Sequence, residues 1–259
     1  MSELAGARTY RLVLAYDGTD YHGWQAQPGV ATVSGRFSQA LESACGVRPT
    51  VRAAGRTDAG VHAHGQVVSF QLDEAIDPER LRMACNQHLP ADIVVVRADL
   101  ARDGFDPRRD AWRRTYRYLL SPSRALSPVL ARYAWRVSPA LELAPMREAA
   151  RSLLGTRDFG ELGRSPWPGG PTTRTVDMIE VQQVDGLVRV DVRGDAFLRG
   201  MLRNLVGALV SFGVHRLRRS DLPEILEPGS SRRWLKAPAR GLHQWRVEYH
   251  RPAMVGVLR

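Results

Sequence analysis

The pattern of apolar and polar positions in the first hundred residues changes between a period of two and a period near 3.6. Segments with a period of two predict β-strands at residues 10–16, 66–72 and 93–97. Helical spacing predicts one helix after Thr32, a good N-cap, and a second that begins at Asp77-Pro78 and ends before Pro90. The apolar face of the first helix consists of Val33, Phe37, Ala40, Leu41 and Ala44. The order strand, helix, strand, helix, strand predicts an α+β lobe.

The second half of the chain repeats this theme loosely. Its pattern predicts a strand at 116–120, an amphipathic helix at 146–154, a long helix at 196–212, a short helix at 223–226 and a last strand at 244–249. Asp185-Gly186 is a strong two-residue turn signal, which predicts a hairpin of strands 176–184 and 187–192. Residues 163–173, rich in proline and glycine, predict a surface loop. We therefore expect two α+β lobes, residues 1–104 and 105–259, with the boundary near Gly104.

The charge balance favours a polyanionic partner. The 259 residues contain 37 Lys plus Arg against 27 Asp plus Glu, which gives a net charge of +10 and a pI near 10.5. Basic surface gains free energy by releasing the counterions condensed on phosphates. A generally basic proteome is the alternative explanation, because Lys236 is the only lysine and all the other cations are arginine.

The arginines are concentrated in one stretch. From Arg97 to Arg136 there are ten of them, interleaved with Phe105, Trp112, Tyr116, Tyr118, Tyr133 and Trp135. Guanidinium groups beside aromatic faces suit single-stranded or looped RNA, where they can clamp phosphates and stack on bases. Four aspartates in the same stretch partly offset the charge, so a solvated surface of mixed charge remains an alternative.

The cysteines and the apolar content of the sequence bear on where in the cell the protein is located. Cys45 and Cys85 are isolated and lack metal-site spacing, so we expect reduced, buried thiols. The first residues lack an apolar signal core, and no run approaches the length of a membrane span. We expect a soluble cytoplasmic protein that makes no membrane contact.

A short glycine-flanked run contains the strongest candidate for catalysis. Residues 55–65 read GRTDAGVHAHG and place Asp58 directly before a predicted strand. Gly55 and Gly60 allow backbone geometries closed to other residues, and Arg56 brings a charge that favours the ionised carboxylate. An aspartate without a second acid nearby suits a nucleophile better than half of an acid/base pair. An ordinary Asp turn before a strand is the alternative interpretation.

Two further features bear on this site. The predicted helix 196–212 is apolar except for a stripe of Arg199, Gly200, Arg203, Asn204, Gly207 and Ser211. Small residues beside Arg203 let another element approach closely, so we expect this arginine to be shielded from water. A buried charge needs an acceptor, and Asp195 or Asp191, which lie near in sequence, could supply it. His62 and His64 could bind a metal with Asp58, but no third ligand follows at a useful spacing.

These segments together resemble the A class of tRNA pseudouridine synthases. The run 55–63, YDGT at 16–19 with GWQ at 23–25, RRTYRY at 113–118 and the segment 197–207 all stand in that family's order and span most of the chain. The resemblance implies two ferredoxin-like or RRM-like lobes whose mixed, mainly antiparallel sheets join, with the active-site cleft between them. It also implies a cofactor-free homodimer that isomerises uridines in the anticodon stem-loop of tRNA.

The resemblance assigns roles to individual residues. Asp58 is the expected nucleophile, Arg203 its charge partner and Tyr116 the residue that stacks on the uracil. Arg56 is associated with base flipping, Leu242 lines the pocket, and Phe105, Arg108 and Arg109 are expected to contact tRNA. The segment Arg174-Thr175-Val176 also matches the family.

Three departures from the family pattern concern substrate contacts. Asp106-Pro107 replaces the more usual His-Ala, Gly200 stands where histidine is common, and His243-Gln244 replaces an aromatic and aliphatic pair. None of them removes a residue assigned to the chemistry.

Two other functions remain open on the residues alone. A non-catalytic RNA-binding or RNA-chaperone protein would explain the charge and the aromatic residues but leaves the Asp58 loop without a purpose. A metal-dependent nuclease using Asp58, His62 and His64 would cleave RNA and would lose activity with a chelator. The expected enzyme needs neither a metal nor a nucleotide cofactor.

Overall fold

The computed structural model describes residues 6–229 and 233–250 of the chain. Its strands and helices follow in the order β1 (Arg8–Tyr16), α1 (Val33–Cys45), β2 (Arg52–Ala53), β3 (His62–Leu72), α2 (Pro78–His88), β4 (Ile93–Leu100), β5 (Ala111–Ser121), α3 (Pro128–Ala131), β6 (Trp135–Arg136), α4 (Leu143–Ser152), β7 (Gly155–Asp158), β8 (Thr173–Val184), β9 (Leu187–Gly194), α5 (Met201–Gly213) and β10 (Leu242–Tyr249). Three single-turn 3₁₀ helices cover Arg219–Asp221, Pro223–Leu226 and Ala239–Gly241.

The chain forms two compact units whose limits differ from the expected boundary near Gly104. The first unit consists of Met1–Trp112 and Gln244–Arg259, and the second of Arg113–His243. Most of the last strand belongs to the first unit because β10 lies beside β3 in the sheet. Val247 of β10 joins Ala54 and Val67 in a small apolar cluster. A strand at the end of the chain thus completes a unit built mainly from its beginning.

The first unit is a sheet covered by two helices. Its strand order is β4-β1-β3-β10, with β2 beside β3, and β1 pairs antiparallel with both β3 and β4. Alternate residues of β1, namely Tyr10, Leu12 and Leu14, are fully buried in one cluster with the apolar face of α1 and with α2. The predicted caps are confirmed: the Thr32 side chain accepts from Gly35 N, and that of Asp77 from Arg80 N.

The second unit contains a sheet in the order β5-β9-β8-β7 with helices α4 and α5. The pairs β5/β9, β8/β9 and β7/β8 are antiparallel, whereas β6 pairs parallel with β5. The predicted hairpin is confirmed, and its turn residues Asp185 and Gly186 have φ of 49° and 78°, as a type I′ turn requires. The expected α+β class with mixed, mainly antiparallel sheets is therefore confirmed.

Several element limits differ from the sequence prediction. Helix α5 begins at Met201 rather than at 196, because Gly200 adopts a φ of 78° and interrupts helical geometry before it. Arg199 consequently lies before the helix. Residues 223–226 form a 3₁₀ helix, and the short elements β2, α3, β6 and β7 were not predicted, since two to four residues carry too little periodicity.

The two cysteines are free thiols in different settings. Cys85 is buried as expected, and burial raises the pKa of its thiol to about 12. Cys45 is only half-buried, which corrects the expectation for that residue, and partial burial raises its thiol pKa as well. No helix within the described residues has both the length and the apolar character that crossing a membrane needs.

Candidate active site

Asp58 lies on the loop between β2 and β3. The loop turns at Asp58, whose carbonyl accepts a hydrogen bond from Val61 N at 3.1 Å, and Gly60 supplies the positive φ of 75°. A turn of this kind favours glycine at its third position. Gly55 does not share this role, because its φ is not positive. Asp58 is half-buried and Arg56 is exposed, so the loop presents both to solvent.

The two family segments near the start of the chain hold this loop. The Tyr16 hydroxyl lies 2.8 Å from Thr57 Oγ1, with both groups buried. Trp24 N donates to Thr57 O at 3.1 Å, and Gly60 N donates to Tyr21 O at 3.3 Å. Hydrogen bonds from the 16–25 region thus fix the residues on both sides of Asp58.

Two glycines of the same region permit this close approach. A Cβ on Gly23 would lie 2.6 Å from Thr57 O, and Gly23 has a φ of 85°. A Cβ on Gly18 would lie 2.0 Å from Val61 O. Any larger residue at either position would push the Asp58 loop away from its support.

Two buried glutamines, which the sequence analysis did not single out, hold the start of the loop. Gln66 Nε2 donates to Gly55 O at 2.9 Å, and Gln244 Nε2 donates to Gln66 Oε1 at 3.2 Å. Gln66 is 0% exposed and Gln244 is 1% exposed. The sequence gives little signal for these two residues, because β3 and β10 both contain other polar residues. Buried amides nevertheless need partners.

The histidines after the loop have separate environments. His62 is buried, and its Nδ1 lies 3.1 Å from Gly18 N and 3.0 Å from Asp17 Oδ1. His64 is exposed, and its ring packs on Trp245 at a centroid distance of 4.4 Å. Residues 6–229 and 233–250 contain no group of three His, Cys, Asp or Glu able to hold a metal ion.

Arg203 lies on α5 where another segment approaches closely, as the small residues of the stripe predict. Its Nε donates to Ala237 O at 2.8 Å. A Cβ on Gly207 would lie 1.7 Å from Leu235 O, and Ser211 Oγ accepts from Leu235 N at 2.9 Å. The segment 235–237 therefore packs along the Arg203, Gly207 and Ser211 side of the helix.

The two local alternatives for Arg203 have other contacts. Asp191 is 5% exposed and forms ion pairs with Arg117 at 2.8 Å and with Arg189 at 3.1 Å. Asp195 Oδ1 accepts from the backbone N–H groups of Thr175 and Ala196. The described contacts of both aspartates thus involve other groups.

Tyr116 and Tyr118 lie two residues apart on β5 and differ in their partners. The Tyr116 ring meets Phe197 edge to face, with centroids 5.4 Å apart. Tyr118 is 1% exposed and donates its hydroxyl to Pro238 O at 2.7 Å, so it lies in the core. Burial raises the pKa of Tyr118 well above its usual range, although the charges of Arg203 and Arg240 act against this. Trp112, in contrast, is 49% exposed.

Tyr118 connects two of the expected site residues within the second unit. Its hydroxyl holds Pro238, the neighbour of the Ala237 carbonyl to which Arg203 donates. A Cβ on Gly241 would lie 2.5 Å from the Tyr118 ring, so the backbone directly before Leu242 rests on that ring. Leu242 itself is 6% exposed. Tyr118 is therefore a support for the segment between Arg203 and Leu242.

The expected tRNA-contacting segment is organised by Asp106. Its Oδ1 accepts from Arg108 N and Arg109 N, both at 2.9 Å. Partial burial raises the pKa of Asp106, but these two hydrogen bonds and nearby arginines outweigh it and hold the pKa below its usual value. Arg108 and Arg109 are exposed, whereas the Phe105 ring is 3% exposed and packs on Tyr249. Phe105 thus anchors the segment, and the two arginines face solvent.

The expected site residues are divided between the two units. Asp58, Arg56, Phe105, Arg108 and Arg109 belong to the first unit. Tyr116, Arg203 and Leu242 belong to the second, as does Arg174, whose Nη1 donates to the carbonyls of Pro171 and Thr173.

Comparison with known proteins identifies the family. A family described as tRNA pseudouridine synthase matches residues 12–106 and 149–250. The tRNA pseudouridine synthases A of Pseudothermotoga lettingae and Geobacter sulfurreducens are each 39% identical to the chain, over 93% of it and 100% of their own lengths. That of Neisseria gonorrhoeae is 36% identical over 99% of this chain and 97% of its own.

Similarity to solved structures is much weaker. An archaeal box H/ACA sRNP Nop10–Cbf5 complex aligns over 78% of this chain and 43% of its own, with 11% identity and a TM-score of 0.35. Sequence similarity over nearly the whole chain is the decisive finding: this chain belongs to the tRNA pseudouridine synthase family.

Proposed function

We propose that this protein isomerises uridine to pseudouridine in the anticodon stem-loop of tRNA. The reaction breaks the bond between C1′ and N1, turns the uracil within its pocket and joins C1′ to C5. C5 then loses a proton and N1 gains one, so that product and substrate are isomers. It requires no electron transfer and no phosphoryl transfer. The observation that carries the proposal is family membership over nearly the whole chain, with Asp58 presented on a loop that two other family segments support.

The proposed roles follow the residues of the family pattern. The Asp58 carboxylate attacks the sugar at C1′ or the base at C6, and Arg203 is its proposed charge partner. Tyr116 stacks on the uracil, which holds the base flat after it leaves the helical stack. Arg56 assists the extrusion, Leu242 lines the pocket, and Arg108 and Arg109 contact tRNA phosphates. The Phe105 ring contributes by holding this segment in place, since it is buried.

Replacement of the nucleophile tests the proposal. Asp58→Asn should lower pseudouridine formation in an unmodified tRNA transcript by at least about a thousandfold, because an amide cannot attack as a carboxylate does. The Kd for the same tRNA should stay within about threefold, since the amide has nearly the same shape. Pseudouridine is mapped along the transcript at single-nucleotide resolution, and the Kd is measured by filter binding.

Asp185→Asn is the matched control. It makes the same chemical change on an exposed hairpin turn, and asparagine tolerates the φ of 49° found there. An Asp58→Asn protein with full activity would exclude the nucleophile assignment. Wild-type protein that binds tRNA tightly without product would favour a non-catalytic RNA-binding protein, and chelator-sensitive cleavage of the RNA would favour a nuclease.

The proposal extends to assembly and location by the same resemblance. We expect a homodimer in the cytoplasm, and sedimentation equilibrium of the purified protein measures the first of these. A monomer at micromolar concentration would contradict the dimer without affecting the assigned chemistry.

A further inference from the structure

Two arginines of the second unit face each other on an isolated antiparallel bridge. Arg164 N donates to Arg199 O at 3.1 Å, and Arg199 N donates to Arg164 O at 3.0 Å. Residues that exchange both hydrogen bonds lie opposite each other with Cα atoms about 5.5 Å apart and with side chains on the same face. Both arginines are exposed, so two guanidinium groups extend into solvent from neighbouring points.

This arrangement lacks a compensating charge in the described part of the chain. Neither guanidinium has an ion pair or a hydrogen bond within residues 6–229 and 233–250. The two acids that precede Arg164 most closely in sequence have other contacts: Glu161 accepts from Gly229 N, and Asp158 accepts from Gly160 N. Like charges placed directly opposite each other are destabilising. An anion between them would remove this cost, and guanidinium groups bind phosphate oxygens in a bidentate geometry.

An exposed tryptophan follows Arg164 by three residues. Trp167 is 54% exposed and begins a turn in which Gly170 N donates to Trp167 O at 3.2 Å. Pro168 and Gly169, the latter with a φ of 69°, occupy the two central positions that a type II turn favours. A Cβ on Gly170 would lie 2.5 Å from Trp167 Nε1, so the turn packs against the edge of the indole. The turn thus contacts one edge of the ring, while more than half of the side chain is exposed.

We propose that Arg164, Arg199 and Trp167 form a secondary RNA-binding site, at which the arginines hold a phosphodiester and the indole stacks on an unpaired base. Phosphate clamps beside an aromatic face are the chemistry by which single-stranded or looped RNA is bound. The proposal rests on the proposed function, because the RNA in question is the tRNA substrate. None of these residues belongs to the proposed catalytic set.

Salt dependence of binding distinguishes the two parts of this site. For Arg164→Gln combined with Arg199→Gln, the Kd for an unmodified tRNA transcript should rise severalfold at about 0.15 M salt. The slope of log Kd against log salt should fall by about 0.7 to 0.9 for each phosphate that the variant no longer neutralises. Trp167→Ala should raise the Kd by roughly fivefold or more and leave the slope unchanged, since stacking releases no counterions.

The control is Arg80→Gln combined with Arg151→Gln. Both residues are exposed, and neither forms an ion pair in the described part of the chain, so net charge falls equally. Glutamine keeps the backbone bridge, and a thermal melt verifies the fold. The single variant Arg199→Gln replaces the double variant if the latter does not fold.

The outcomes separate this inference from the proposed function. A wild-type Kd and slope in the double variant, or equal changes in the control, would overturn the binding site. If the wild-type protein forms no pseudouridine, the proposed function is overturned. The comparison of Kd values between the variants and the control would still test the proposed RNA-binding site.

Discussion

At the scale of single residues, the structure separates two tyrosines that the sequence places on one strand face. The Tyr116 ring meets Phe197 edge to face, and the buried Tyr118 hydroxyl donates to Pro238 O. A buried hydroxyl needs such a partner, and burial raises the Tyr118 pKa, so the group remains a donor throughout the neutral pH range. Tyr118 therefore acts as a positioning residue for the segment between Ala237 and Leu242.

Tyr118→Phe tests this positioning role. The variant leaves Pro238 O without its donor, and we expect the free energy of unfolding to fall by about 1 kcal/mol. We also expect turnover to fall about tenfold with little change in KM, since Arg203 and Leu242 lie at the two ends of the loosened segment. Chemical denaturation and initial rates of pseudouridine formation measure the two effects.

Tyr10→Phe is the control for this variant. The Tyr10 hydroxyl donates to Ile76 O at 2.9 Å and accepts from Ile76 N at 2.8 Å, and Ile76 is no part of the proposed site. The Tyr10→Phe variant should lose a similar amount of stability and keep wild-type turnover. Equal turnover losses in both variants would show that Tyr118 contributes stability alone.

At the scale of elements, the Asp58 loop depends on the connection between β1 and α1. Asp58 follows β2 in sequence, but Thr57 and Gly60 are held by Tyr16, Tyr21 and Trp24. Close backbone approach at Gly23 makes these hydrogen bonds possible. The family segments near the chain start thus serve as the support of the proposed nucleophile.

Gly23→Ala should disrupt this support. The new Cβ would lie 2.6 Å from Thr57 O, and the alanine backbone must adopt a φ of 85°. We therefore expect a loss of more than about 2 kcal/mol in unfolding free energy. Turnover should fall more than a hundredfold at a temperature where the variant remains folded. Thermal melts and single-turnover rates measure both.

Gly29→Ala is the matched control for Gly23→Ala. Gly29 has a φ of 75°, but nothing lies within 4 Å of an added Cβ. Only the backbone strain of about 1 kcal/mol should appear, with turnover unchanged. If the two variants lose turnover equally, close approach at Gly23 is not what positions Asp58.

At the scale of the whole molecule, residues from the two ends of the chain meet in the first unit. Gln66 and Gln244 are 178 residues apart and form a buried hydrogen bond, and Gln66 then donates to Gly55 O. Gln244 thus supplies a donor to the support of the Asp58 loop.

A double-mutant cycle on these glutamines measures the connection. Gln244→Leu leaves Gln66 Oε1 buried without its donor and should cost about 1–3 kcal/mol of unfolding free energy. Gln66→Leu in the same protein removes that unpaired acceptor, so the double variant should lose less stability than the sum of the single losses. We expect a coupling of about 1 kcal/mol, measured by urea denaturation of the four proteins. Additive losses would mean that the two amides do not interact.

Much of the fold could be predicted from the sequence because its signals are local. Thr32 and Asp77 mark helix starts by capping, and Asp185-Gly186 marks a hairpin by its φ preference. The start of α5 was misplaced because the apolar pattern continues through Gly200, and only the backbone there reveals the interruption. Short strands such as β2 and β7 form because neighbouring strands offer hydrogen-bonding partners, which no local pattern records.

The sequence by itself determined the α+β class, the family and the identity of the candidate nucleophile, because periodicity, turn residues and motif order are properties of neighbouring positions. Only the tertiary structure decided that the last strand joins the first unit, that Phe105 is buried while Trp112 is exposed, and that Gln244 supports the loop start. Those features depend on which distant segments exclude water together and on which buried polar groups find partners. Such pairings arise only when the whole chain packs.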